Sequence, residues 1–170
     1  KDPEGVEAAS VSLTSTLIAF NHNKNFTINV PTSIGGENGN VTILFGDGAP
    51  AAAAADRIRI RRDSGGVAKT TDNIAQALVF AINGTTPAGS TPSGGGTYVA
   101  TDVQFANSGR GQNGIAGVTA TRDGSVITIT ADTSGDTGNT IVLTDVLGTP
   151  IATSGGSSPL KLAGGVTASQ

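Results

Sequence analysis

From Phe26 the chain alternates apolar and polar side chains. Phe26, Ile28 and Val30 are separated by Thr27 and Asn29, which predicts a half-buried strand stopping at Pro31. Gly35-Gly36-Glu37-Asn38-Gly39-Asn40 supplies a reversal, and Val41, Ile43 and Phe45 then alternate with Thr42 and Leu44 as far as Gly46-Asp47-Gly48. The two runs predict a hairpin. Ala51 to Ala55 follows Ala49-Pro50 and reads as a loop. Asp56 to Asp63 predicts another strand, with Ile58 and Ile60 inward and Arg57, Arg59 and Arg61 outward.

At Thr70 the period changes from two to 3.6. Thr70 or Thr71 caps a helix whose first turn carries Asp72 and whose apolar stripe is Ile74, Leu78 and Ile82, with Ala75 and Ala81 beside it. Asn83-Gly84 ends it, because glycine takes the left-handed conformation without strain. A Gly, Ser, Thr and Pro loop runs from Thr85 to Thr97, followed by a candidate strand over Tyr98 to Phe105 and a glycine-rich turn from Ser108 to Gly114. Val118 to Thr121 and Ser125 to Ala131 flank Asp123-Gly124, a strong hairpin dipeptide. Thr140 to Thr144 predicts a further strand and Leu160 to Gly165 a short closing one.

Seven to nine strands around one long helix predict an α+β fold, a mostly antiparallel sheet or sandwich with the helix packed on it. Residues 21–170 read as a single β-rich domain. Residues 1–20 read as an N-terminal arm or an edge strand. Lys1 to Ser10 has little apolar content, whereas Val11, Leu13, Leu17, Ile18 and Phe20 offer enough to stabilise an interface with a neighbouring subunit.

Composition narrows the chemistry. Cysteine is absent, which removes disulfides, thiolate zinc sites and cysteine nucleophiles together. The one histidine, His22, sits among Asn21, Asn23 and Lys24 and reads as a surface residue; a Ser/His/Asp triad would depend on it, and no Gly-x-Ser-x-Gly elbow occurs. A net charge of -3 offers no general attraction for phosphate backbones or anionic membranes, so neither nucleic acid nor membrane is an expected partner. No apolar run reaches the ~20 residues that span a bilayer, and Lys1-Asp2-Pro3-Glu4-Gly5 is unlike a signal peptide. Methionine is absent throughout, so the chain has lost its initiator, been processed or been cut from something longer.

The order of the pieces carries more information than any one of them. Thr71 to Ala81, Ile82-Asn83, Val118-Thr119-Ala120, Asp123-Gly124, Val126 to Thr130, Gly135-Asp136-Thr137-Gly138-Asn139, Ile141 to Thr144 and Leu162-Ala163-Gly164-Gly165 follow one another over about 95 residues. This resembles a module of tailed-bacteriophage virion structural proteins: a capped Ala/Ile-rich helix ending in Ile-Asn, a Val-Thr-Ala strand, a glycine turn, an alternating Thr strand, a Gly-x-x-Gly-Asn turn, another strand and a Leu-x-Gly-Gly close. The segment from Thr85 to Ala116 is an insert relative to the compact pattern. A looser similarity links the helix and Val-Thr-Ala strand to the IN motif of flagellins and hook-associated proteins.

The resemblance implies building material: a non-enzymatic virion protein without cofactors, in the first instance a capsid decoration subunit, with a tail or fibre component, a host-glycan-binding module or an extracellular filament subunit as alternatives. It places the chain on the particle surface, with a major capsid or tail protein and copies of itself as partners. Arg57, Arg59, Arg61 and Arg62, four of six arginines, then form either a solvated strand face or a docking stripe for an acidic neighbour. Asp132, Asp136 and Asn139 make an oxygen-rich loop array that could hold calcium or simply form Asx turns. Loops Thr85 to Ser93 and Ser108 to Gly114 are where glycan recognition would sit. Asn25-Phe26-Thr27, Asn40-Val41-Thr42 and Asn83-Gly84-Thr85 match the glycosylation sequon, as chance allows in a chain rich in Asn and Thr.

Overall fold

A computed structural model describes residues 6–14, 24–46, 52–61, 63–64, 67–68, 70–85, 102–145 and 160–167. Strands β1 (Ser10–Thr14), β2 (Lys24–Asn29), β3 (Asn40–Gly46), β4 (Arg57–Arg61), β5 (Asp63–Ser64) and β6 (Val67–Ala68) precede helix α1 (Thr71–Asn83). After it come β7 (Val103–Gln104), β8 (Val118–Asp123), β9 (Val126–Ala131), β10 (Val142–Asp145) and β11 (Leu160–Lys161). Six strands form one sheet in the order β11-β10-β2-β3-β4-β7, three form a second in the order β1-β9-β8, and β5 and β6 pair alone. The fold is α+β, strand-rich and mostly antiparallel.

Alternation decides which face of each strand is buried. Phe26 pairs with Ile43 and Ile28 with Val41 across β2 and β3, and Ile43 and Phe45 continue onto Ile58 and Ile60 of β4. All of these are buried, with the Phe26 and Phe45 rings stacked at 6.2 Å. Ile127 and Ile129 from β9, Val118 and Ala120 from β8, and Ile74, Leu78 and Ile82 from α1 join the same apolar cluster. Each fully buried Ile, Leu or Phe contributes roughly 1.5–3 kcal/mol relative to exposure. Thr70 caps α1 by accepting from the Asn73 N–H at 3.2 Å, and Gly84 ends it at φ 75° with its N–H on the Phe80 carbonyl.

One expectation changes. The sequence pattern places Arg59 outward, yet only 7% of it is exposed, and Arg57 and Arg61 are partly buried. The cause is topology: β4 is an inner strand, parallel to β3 on one side and antiparallel to β7 on the other. Arg59 lies in a row with Asn25, Leu44 and Gln104, and its guanidinium lies over Gly46, where a Cβ would come within 2.7 Å of Nη2. Strand polarity does not reveal strand order, so alternation alone reads Arg59 as solvated.

For the N-terminal segment the structure takes the edge-strand reading over residues 10–14. β1 is an edge strand of the three-stranded sheet, pairing Ser10 with Thr130 through to Thr14 with Val126. Val11 pairs with Ile129 and packs against the core, Leu13 pairs with Ile127, and Ala9 is fully buried. Residues 6–14 are therefore integral to the domain rather than an arm leaving it. Leu17, Ile18 and Phe20 lie outside the described residues.

Candidate functional site

Four segments that are separate in sequence meet in space through two asparagines. Asn83, at the last position of α1, uses both ends of its amide on one residue of β8: Oδ1 accepts from the Ala120 N–H at 2.7 Å and Nδ2 donates to the Ala120 carbonyl at 2.9 Å. Asn139 does the same with Gly165, accepting from its N–H and donating to its carbonyl, both at 3.1 Å. Each amide behaves as a one-residue strand, satisfying backbone groups that would otherwise lack partners. Ile-Asn is thus bound to Val-Thr-Ala, and Gly-x-x-Gly-Asn to Leu-x-Gly-Gly. The Asx-turn reading keeps Asn139 within its own loop; its amide is instead paired with a residue 26 positions away.

The glycines of the same motifs seat the N-terminal segment. A Cβ on Gly138 would lie 3.0 Å from the Ala9 Cβ and 2.8 Å from the Ala131 Cβ, and one on Gly165 would lie 3.2 Å from the Ala9 Cβ. Glu7 exchanges backbone hydrogen bonds with Val166, and Ser10 does so with Ala163. The Gly135 N–H donates to the Glu7 carbonyl at 2.9 Å. Residues 7–10 are therefore held between the Gly135–Asn139 turn and the closing segment, joining the two ends of the chain.

The Asp132, Asp136 and Asn139 array is not gathered into one coordination shell. Asp132 Oδ1 accepts from the Thr119 hydroxyl at 2.6 Å, Asp136 Oδ1 accepts from the Thr167 hydroxyl at 2.8 Å, and the Asn139 amide holds Gly165. Among the described residues no three His, Cys, Asp or Glu side chains form a group that could hold a metal ion. Arg57 Nη2 donates to the Ala52 carbonyl at 3.2 Å. Of the sequon asparagines, Asn25 lies in β2, Asn40 at the start of β3 accepts from Asn29, and Asn83 is occupied by Ala120. His22, Arg62 and positions 86–93 of the first candidate glycan loop lie outside the described residues.

Arg110, which no sequence signal singles out, organises the second glycine-rich loop. Its backbone N–H donates to Asp56 Oδ1 at 2.7 Å, and its guanidinium pairs with Asp56 Oδ2 at 3.3 Å and donates to the carbonyls of Asn38 and Asn40. Glu37 accepts from the Gly111 N–H at 3.0 Å. The loop is tied to the reversal between β2 and β3, leaving Asn107 to Gly109 and Gln112-Asn113 exposed.

Where this loop reaches the end of α1, Gly84 and Gly114 touch: a Cβ on Gly114 would fall 2.4 Å from the Gly84 nitrogen. Beside that contact opens a cleft of about 330 Å³, floored by Ile82, Ile115 and Val118 and rimmed by Asn83, Asn113, Thr119 and Asp132. No family model, curated protein or solved structure matches this chain. Framework hydrogen bonds hold the motif residues, and the cleft beside β8 is a concave surface with polar groups at its rim.

Proposed function

We propose that the chain is a non-enzymatic structural subunit of a virion, a capsid decoration subunit in the first instance and a tail or fibre component as the alternative placement. The observation that carries the reading is the pairing of motif with motif. Asn83 with Ala120 and Asn139 with Gly165 give the signature residues a mechanical role, fixing the helix to one sheet and the closing segment to the turn before β10. A module whose distinguishing residues are hydrogen-bonded into its own frame suits repeated assembly, where each copy must present the same rigid surface. The proposed partners are the major capsid or tail protein and further copies of the chain.

Mass spectrometry of purified particles tests this. The chain is expected in many copies per particle and in fixed ratio to the major shell or tail protein. Its presence only in infected-cell lysate, with none in particles, would rule the proposal out.

A further inference from the structure

The cleft beside β8 is more than a surface depression, because it opens onto the backbone edge of a strand. Successive residues of an antiparallel pair point their N–H and C=O groups alternately toward and away from the partner strand. Ala120 gives both of its groups to Asn83, so they face away from β9. Val118, two residues earlier, faces the same way; consistently, its cross-strand partner Ala131 sends its N–H to Ala9 on the β1 side. The N–H and C=O of Val118 therefore look onto the cleft, and no backbone group of another described residue outside the sheet takes them. Among the described residues, a group outside the sheet takes the edge at Ala120 and no backbone group outside the sheet takes it at Val118.

The charge at this opening is of one sign. Asp132 is the charged residue in the cleft's lining, and it is exposed. Thr119 donates to its Oδ1 at 2.6 Å, which takes up part of the carboxylate's accepting capacity and leaves the rest, Oδ2 included, for a cation. With Oδ1 already engaged by Thr119, the exposed carboxylate suits the point charge of a lysine ammonium better than the two-pronged arginine fork, which competes for both oxygens. The buried floor of Ile115 and Val118 accepts a small apolar neighbour.

We propose that this cleft receives a short, lysine-bearing extended peptide segment of a neighbouring subunit, which pairs with the Val118 backbone as an added strand and places its ammonium on Asp132. Asn83 sets the length of the pairing: its amide occupies the next open position of the edge, so the added strand ends there. Main-chain hydrogen bonds supply the attachment and Asp132 selects the side chain. The inference rests on the assembly reading only for the source of the peptide.

The test is a titration of the isotopically labelled chain with the blocked tetrapeptide acetyl-Val-Lys-Val-Thr-amide at low salt, followed by amide NMR. Saturable shifts at Val118 and Thr119 are expected. Replacing the lysine by norleucine should weaken binding about two- to five-fold, the range of an exposed ion pair, and Asp132→Asn should abolish that difference between peptides. Preserved peak dispersion shows that the variant is folded; if it is not, the same loss of discrimination is read on the native chain by raising the salt to about 1 M. No shifts, shifts confined to another edge, equal binding of both peptides at low salt, or stronger binding by a methyl glycoside would each overturn the proposal. A blank titration leaves the chain's presence in particles untouched, and absence from particles leaves the cleft chemistry untouched, so the two proposals fail separately.

Discussion

Asn83 and Asn139 share one situation and Asn73 is in another, so the same residue type should respond differently to substitution. Asn83→Ala and Asn139→Ala each remove the partner of two backbone groups, which should lower stability by about 1–2 kcal/mol in urea unfolding. Asp at either position keeps the acceptor and loses the donor, and should fall between. Asn73 is 1% exposed, and neither its Oδ1 nor its Nδ2 has a hydrogen-bond partner. Asn73→Leu therefore relieves an unpaired polar group and should be neutral or stabilising by up to about 1 kcal/mol; a loss as large as that of Asn83→Ala would contradict this. Two glycines make a parallel contrast. Gly124 has φ 56° with open space around it, so Gly124→Ala should cost about 1 kcal/mol from backbone strain alone. Gly84 has φ 75°, and a Cβ there would meet the Asn113 carbonyl, so Gly84→Ala should cost markedly more, which the same unfolding curves will show.

At the scale of elements, the chain was readable wherever burial follows a simple period. The β2–β3 hairpin, the turn at Asp123-Gly124 and α1 with its Thr70 cap all follow from local signals, since one face of each is apolar and its ends carry turn or cap residues. Arg59 was not readable, because its burial depends on β4 having neighbours on both sides. Its environment predicts that Arg59→Ala destabilises the fold by about 2–4 kcal/mol, while Arg57→Ala, with a single exposed hydrogen bond, changes it by under about 0.5 kcal/mol. Equal effects in thermal unfolding would mean that the stripe behaves as one exposed surface. β1 was ambiguous for a related reason: few apolar residues suffice where Gly138 and Gly165 leave room for Ala9. Deleting residues 1–14 should therefore lower the melting temperature sharply or prevent folding, whereas an unchanged melting temperature would make the segment a dispensable arm.

For the molecule as a whole, the α+β class and most of its elements were legible, whereas the contacts that unite them were not. The pairing of Asn83 with Ala120 spans 37 residues, and that of Arg110 with Asp56 spans 54. No local period encodes such distances. What the sequence did carry was an order of segments, and some that lie far apart in that order are hydrogen-bonded to one another. The cleft beside β8 escaped the sequence reading entirely, being formed from the end of α1, the loop after Gln112 and the edge of a strand.

The most direct test of the virion proposal is electron cryomicroscopy of purified native particles at a resolution that separates domains. The account predicts density for a strand-rich domain of 16.7 kDa at repeated, symmetry-related positions on the particle's outer shell or tail, into which the two sheets and α1 fit as one unit. Particles whose every repeated density belongs to other proteins, or purified chain that assembles into fibres with no particle present, would contradict it.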